Sequence, residues 1–131
     1  MSERTFSLQQ LLEEDQRYPL PAYQFIREGL VYAHEVLRMG QAAHPSDRHI
    51  TGQELCEALR LYALEQFGFM AKTVLNNWGI FSTNDFGEIV YNLIRIGHMR
   101  KSESDRREDF HNVYDFETAF EPQFAVMERE H

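Results

Sequence analysis

The amino-acid sequence predicts a mainly α-helical single domain in which five helices are followed by a small C-terminal β-hairpin. Apolar residues recur with the 3.6-residue period of an amphipathic helix over much of the chain, and this pattern predicts the helices. Four of the seven glycines stand where the pattern stops, so they predict the helix ends. The stretch 102–109 holds no apolar residue and precedes the alternating stretch 110–116, which is typical of strands joined by a charged loop.

The first two helices are predicted before residue 40. Ser7 with Gln10 forms a capping-box pattern that opens a short helix through Glu14. Pro21 suits the first position of the second helix, and Gly40 is expected to end it. Its apolar face comprises Ala22, Phe25, Ile26, Gly29, Ala33, Val36 and Leu37.

Three further helices are predicted after a loop over residues 41–50. Thr51 with Glu54 is a second capping box, and the helix 51–66 carries apolar residues on two sides, which predicts a central position. A shorter helix follows over 69–77. The fifth, over 84–96, is capped by Ser82 or Thr83. Its inward stripe comprises Phe86, Ile89, Val90, Leu93 and Ile94, and the three helices are expected to end at Gly68, Gly79 and Gly97.

The order of the elements is that of a winged helix. Helices 51–66, 69–77 and 84–96 would precede a hairpin, so residues from about 51 to 116 are expected to form a winged-helix-like central unit. On this interpretation 84–96 is the recognition helix and 102–109 the wing. Two glycines within helices predict close contacts: Gly29 between helices, and Gly87 at a crossing of the fourth and fifth helices.

The composition fits one domain with an apolar core. The chain has 131 residues, of which 43% are hydrophobic and 13% aromatic, so whole-chain disorder is not expected. We expect residues 1–131 to form a single domain with flexible ends at 1–6 and 121–131.

The charge and the single cysteine restrict the class of partner and the compartment. The net charge is −8, from 13 basic and 21 acidic residues, which opposes binding to nucleic-acid phosphates and to anionic membranes. Cys56 is the one cysteine, so an intrachain disulfide is impossible and a reducing compartment is favoured. The chain starts without a signal-peptide core, and its apolar stretches fall short of the roughly 20 residues of a membrane span. A cytoplasmic protein is expected.

No catalytic, cofactor or metal site is predicted. His44, His49 and Cys56 lack the tight spacing of metal ligands. His98 and His111 are expected to face each other across the hairpin as partly exposed strand residues. Cys56 lies in an apolar helix, which favours a buried thiol over a nucleophile. The chain has no glycine-rich phosphate loop, so an enzyme is not predicted.

Several stretches resemble a known family. They are Thr51-Gly-Gln-Glu-Leu, residues 62–80 from Tyr-Ala-Leu-Glu-Gln-Phe-Gly to Asn-Trp-Gly-Ile, residues 85–94 with Asp-Phe-Gly-Glu, and residues 109–116. The chain resembles an uncharacterised family of short bacterial proteins from planctomycetes and verrucomicrobia, over nearly its whole length after the first residues. That family carries no assigned activity, so the resemblance implies no site residues. Phe69 departs from the pattern, which has a proline or small residue there.

Two functional hypotheses follow from the sequence. The first is a non-catalytic protein-interaction or assembly module whose partner is another protein or a second copy of the chain. The alternative is a winged-helix regulator that binds nucleic acid through its basic residues, although Asp85 and Glu88 would face the phosphates. The candidate interaction surface comprises Trp78, Tyr91, Arg95, Arg100, Lys101, Arg106, Arg107 and Tyr114.

Overall fold

The described structure is helical. The computed structural model describes residues 7–40 and 49–121. It places α-helices at Leu8–Glu14 (α1), Leu20–Glu35 (α2), Gly52–Phe67 (α3), Ala71–Asn77 (α4), Thr83–Arg95 (α5) and Phe116–Ala119 (α6), and 3₁₀ turns at Gly68–Met70 and Arg107–Phe110. The predicted flexible end 1–6, residues 122–131 of the other end and the loop 41–48, with His44, lie outside the described residues.

The prediction of a mainly α-helical fold is confirmed, and the five predicted helices correspond to α1–α5. Both predicted capping boxes form. The Gln10 and Glu54 amides donate to the Ser7 and Thr51 hydroxyls at 3.1 Å, and the Gln10 and Glu54 side chains accept from the Ser7 and Thr51 amides. These reciprocal bonds satisfy amides that a helix start leaves unpaired.

The end of α2 differs from the prediction. The helix ends at Glu35, and Arg38 takes up the left-handed conformation with a φ of 60°. The Met39 amide then donates to the Ala33 carbonyl at 2.9 Å, which closes the helix before Gly40. The apolar pattern misleads here because Val36, which extends the predicted face, is 58% exposed.

The core lies where α2, α3 and α5 meet. Its fully buried side chains include Tyr23, Ile26, Leu59, Leu75, Ile89 and Leu93. The predicted close approach at Gly29 is confirmed, because a Cβ there would lie 2.3 Å from Leu59 Cδ2. The absence of a side chain at Gly29 therefore lets α2 pack closely on α3.

The predicted C-terminal hairpin is wrong, because the described residues contain no strand. Residues 107–110 form a 3₁₀ turn instead, and the polar groups after it bond to the start of α5. The Thr83 hydroxyl donates to the Phe110 carbonyl at 2.7 Å and accepts from the Val113 amide at 3.1 Å, and the Asn112 amide donates to Asn84. Hydrogen bonds to Thr83 and Asn84 of α5 therefore satisfy the backbone groups that a hairpin would have paired between its two strands.

The position of Phe110 accounts for the error in the hairpin prediction and for the glycine at position 87 in α5. Its ring is buried against Gly52 at the start of α3 and Gly87 in α5. A Cβ at Gly87 would lie 2.7 Å from Phe110 Cβ, so the predicted α4–α5 crossing at Gly87 is wrong. The winged-helix-like unit is wrong as well, because residues 102–109 do not join two strands.

No helix within residues 7–40 and 49–121 has the length and apolar character needed to cross a membrane.

Candidate functional site

A pocket of about 180 Å³ opens between α2, the start of α3, α5 and residues 99–110. Its walls are mainly apolar, from Leu30, Ile50, Leu55, Val90, Ile94, Met99 and Phe110. Its polar rim comprises His34, His49, Thr51, Tyr91, Arg100, Asp105, Arg106 and Asp109. An apolar interior with a few polar groups at its edge is the usual character of a ligand-binding pocket.

His49 and Asp105 join the two sides of the pocket mouth. His49 Nε2 lies 2.5 Å from Asp105 Oδ2, across 56 positions of the chain. The same carboxylate oxygen accepts the Ser102 amide at 2.9 Å. These bonds attach the segment after α5 to the residues that lead into α3, so they fix one wall of the pocket.

Tyr91 on α5 lines the pocket and carries a buried hydroxyl without a partner in the described residues. Its ring packs edge-on against Phe110, and the Arg107 guanidinium lies 4.9 Å from the ring centroid. The Tyr91 hydroxyl is buried and has no hydrogen-bond partner in the described part of the chain. Burial raises the pKa of Tyr91, and the charges of Asp105 and Asp109 raise it further, so the hydroxyl keeps its proton.

The basic side chains near the pocket differ in their pairing. Arg107 donates to both carboxylate oxygens of Glu88 at 3.0 Å. Arg100 and Arg106 are exposed and make no ion pair within residues 7–40 and 49–121. These two arginines are therefore the rim cations that form no ion pair with a described carboxylate, although Asp105 and Asp109 line the same pocket.

A second surface is formed by aromatic side chains of α2, α3 and α4. We call it the aromatic face and define it by four partly exposed residues around buried Phe25: Tyr32, Tyr62, Phe67 and Trp78. Neighbouring ring centroids in this group are 5.1–6.1 Å apart. Such spacings are those of favourable aromatic contacts.

Acidic side chains border the aromatic face. The Tyr62 hydroxyl donates to Glu28 at 2.9 Å, and burial together with the neighbouring Glu65 carboxylate raises the pKa of Tyr32. Burial, together with the bond to Glu28, raises the pKa of Tyr62 to about 12. The hydroxyl therefore remains a donor at neutral pH and holds the Glu28 carboxylate at the edge of the rings.

Large apolar side chains project into solvent close in sequence to the aromatic face. Phe69 is 70% exposed, Phe81 63% and Met70 45%. Each lies within three residues of Phe67 or Trp78. Several large exposed apolar side chains in one part of a chain are typical of a protein-binding surface.

The structure distributes the predicted surface residues over several places. Tyr91, Arg100 and Arg106 meet at the pocket, and Arg107 lies beside them on the Tyr91 ring. Trp78 lies on the aromatic face, against Phe25 and Phe67.

The remaining predicted residues lie at neither surface. Arg95 is exposed at the end of α5 and pairs with Glu14 at 3.8 Å. Lys101 is exposed and donates to the Ser102 carbonyl. Tyr114 donates to the Cys56 carbonyl at 2.6 Å, and burial raises its pKa, which gives it a structural place under α3.

Sequence reasoning missed Asp105 and the role of His49. Asp105 belongs to a mixed-charge stretch that is typical of a solvated loop, and His49 lies 56 positions away. No local spacing signals this pair. A weak signal existed for the aromatic face, since Tyr62 belongs to the apolar pattern that predicts the helix 51–66.

The residues weighed for metal or catalytic chemistry are not brought together. Cys56 is fully buried, and burial raises its pKa to about 12, so the thiol stays protonated. His98 and His111 are exposed and do not face each other across a hairpin. Within the described residues no group of three or more His, Cys, Asp and Glu side chains is placed to hold a metal ion.

Comparison with protein-family models, curated proteins and solved structures gives no match to this chain.

Proposed function

We propose that this chain is a non-catalytic protein-interaction module whose aromatic face binds a basic, partly apolar segment of another protein. The observation that carries the proposal is the exposed apolar surface around Trp78 with carboxylates at its border. Phe69 and Phe81, which are close in sequence to Phe67 and Trp78, expose most of their side chains. Covering such side chains releases water from apolar area, which is the main driving force of association.

The negative charge at the edge of the aromatic face favours a basic partner. Glu28 and Glu65 lie at the edge of the rings, and the whole chain carries a net charge of −8. Lysine or arginine side chains in the partner would meet carboxylates and aromatic rings together, which combines ion pairing with cation–π attraction.

A second copy of the chain fits this face less well than a basic partner. Two copies related by a twofold axis would bring the same acidic borders together, and like charges across an interface oppose binding. The partner that we propose is therefore a different protein.

The nucleic-acid alternative gains no support from the described geometry. Its wing is absent, and Arg107 and Arg95 are paired with Glu88 and Glu14. Asp105 and Asp109 stand among the remaining arginines at the pocket rim. A phosphate backbone approaching this side would therefore meet carboxylates as well as cations.

Trp78 provides a direct test because it is the only tryptophan in the chain. Its fluorescence should change saturably when a short amphipathic peptide of leucine and lysine is added. The same peptide with glutamate in place of lysine should cause little change. Added salt should weaken the binding because exposed charges are screened.

Variants locate the binding on the aromatic face. Phe69→Ser should weaken binding by roughly tenfold if Phe69 is an anchor, and Glu28→Gln with Glu65→Gln by roughly three- to tenfold. The matched control, Glu13→Gln with Glu103→Gln, removes the same charge elsewhere and should leave the affinity within about twofold. Equal binding of both peptides, or equal loss in both charge variants, would reject the proposal.

A further inference from the structure

We infer that the pocket beside Tyr91 is a binding site for a small amphipathic carboxylate, whose apolar body fills the pocket and whose carboxylate lies at the rim near Arg100 and Arg106. This inference goes beyond the protein-interaction function and concerns a different surface. It stands on the volume and lining of the pocket and, within residues 7–40 and 49–121, on a buried hydroxyl without a hydrogen-bond partner and two arginines without an ion pair.

The size of the pocket limits the apolar body. Its volume is about 180 Å³. An apolar cavity of about 150 Å³ holds benzene, so the present pocket suits a phenyl group or an aliphatic chain of roughly six to eight carbons. The apolar side chains of α3 and α5, such as Leu55, Val90 and Ile94, form walls that match such a body.

The polar groups at the rim favour a ligand that has a negatively charged hydrogen-bond acceptor. The Tyr91 hydroxyl can donate one hydrogen bond and has no acceptor among the described residues. A buried donor without a partner costs free energy, and because this hydroxyl is closed off in the present arrangement, a ligand oxygen would recover that cost only after a small shift of the Tyr91 side chain. Arg100 and Arg106 supply positive charge at the same pocket. Guanidinium groups bind carboxylates through charge-assisted hydrogen bonds.

The two rim carboxylates are already engaged. Asp105 accepts from His49 and from the Ser102 amide, and Asp109 accepts the Arg106 amide at 3.1 Å. The first residues of α3 also border the pocket. The positive end of the dipole of this helix favours an anion there. The rim therefore holds two carboxylates that already accept hydrogen bonds from the protein and two guanidinium groups that form no ion pair within the described residues, so a small ligand carboxylate would contact the guanidinium groups.

The test uses 3-phenylpropanoate and its neutral counterpart, 3-phenylpropan-1-ol, as probes of the full chain by NMR. The carboxylate should shift the methyl resonances of Val90, Ile94 and Met99 saturably. The alcohol has the same apolar body without the charge, and it should bind roughly tenfold or more weakly.

Three variants separate recognition from folding. Arg100→Gln with Arg106→Gln should weaken carboxylate binding by roughly tenfold or more, whereas the exposed neighbour Lys101→Gln should change it by less than about twofold. Tyr91→Phe keeps the ring and removes the hydroxyl, so it should weaken binding about three- to tenfold without lowering the thermal midpoint. The site assignment fails if the carboxylate gives no saturable shift, if acid and alcohol bind equally, or if the arginine pair has no larger effect than Lys101.

Discussion

Phe110 shows how single residues position one wall of the pocket. The aromatic ring is accommodated because Gly52 and Gly87 present no side chain on either side of it. Glycine in a helix normally lowers stability relative to alanine, so its presence at Gly87 has to be offset by packing. The sequence predicts that a neighbouring group packs closely on Gly87. It does not identify Phe110 as that neighbour, because the segment that contains Phe110 has no regular apolar period.

Gly87→Ala is the residue-scale test of this packing. A Cβ at this position would lie 2.7 Å from Phe110 Cβ, so the backbone of one segment has to move. We expect the free energy of unfolding to fall by about 1–3 kcal/mol in urea denaturation. At a helix position with free space the same exchange would raise stability by about 0.5–1 kcal/mol. The sign of the change therefore decides whether Phe110 packs closely on Gly87.

Arg38→Gly tests the unexpected end of α2. Arg38 is exposed and has a φ of 60°, a conformation that costs a residue with a side chain about 1 kcal/mol or more. We expect the variant to be more stable by up to about 1 kcal/mol in thermal denaturation. Arg27→Gly, an exposed change inside α2, is the matched control and should lower stability by about as much.

At the scale of elements, polar bonds attach the link between α1 and α2 to α5. The Asn92 amide donates to Asp15 and to the Tyr23 hydroxyl, each at 3.0 Å, and the Tyr18 hydroxyl donates to Asp85 at 2.5 Å. The helices themselves were predictable because the apolar period agrees with a cap or a glycine stop in most of them, although α2 ends before the predicted stop at Gly40. These bonds join residues more than 60 positions apart, so no local pattern reveals them.

Asp15→Asn tests this attachment through its pH dependence. The Arg17 side chain, which bonds both Asp15 oxygens, holds the pKa of Asp15 well below its usual range. A lowered carboxyl pKa gives stability that is complete above the unfolded pKa of about 3.9 and is lost as the pH falls toward the folded pKa. We expect the variant to be less stable by about 1–3 kcal/mol at neutral pH.

The difference between the wild-type chain and Asp15→Asn should shrink as the pH falls below about 4, because Asp15 of the unfolded wild-type chain then binds a proton whereas Asp15 of the folded chain stays ionised. Urea denaturation at a series of pH values measures this difference in the free energy of unfolding. Glu13→Gln, at an exposed acid in the last turn of α1, should change stability by less than about 0.5 kcal/mol. A difference that stays constant down to about pH 2 would assign the loss to packing rather than to charge.

At the scale of the whole molecule, α2 separates two surfaces of different chemistry. Leu30 and His34 line the pocket, whereas Tyr32 belongs to the aromatic face. A separation of two residues turns about 200° around a helix, so the surfaces lie on opposite sides of α2. The sequence predicts the buried stripe of this helix, but the pocket also needs the segment 99–110, whose conformation depends on Phe110 and the start of α5.

The separation of the surfaces predicts that they bind independently. Both border on the well-packed interior of α2 and α3, with Leu59 fully buried against Gly29. A close-packed helix pair couples two binding sites only if the helices can pack in two alternative arrangements. A ligand shifts the equilibrium between two such arrangements only if it binds one of them more tightly than the other. Saturating 3-phenylpropanoate should therefore alter the affinity for the leucine–lysine peptide by less than about twofold, as followed by Trp78 fluorescence.

The variants extend this test in both directions. Glu28→Gln with Glu65→Gln should weaken the peptide and leave the carboxylate probe unchanged, and Arg100→Gln with Arg106→Gln should do the reverse. By linkage, any effect of one ligand on the other must appear with the same factor when the roles are exchanged. A change of about fivefold or more in both directions would show that the α2–α3 contact has a second arrangement that links the two surfaces.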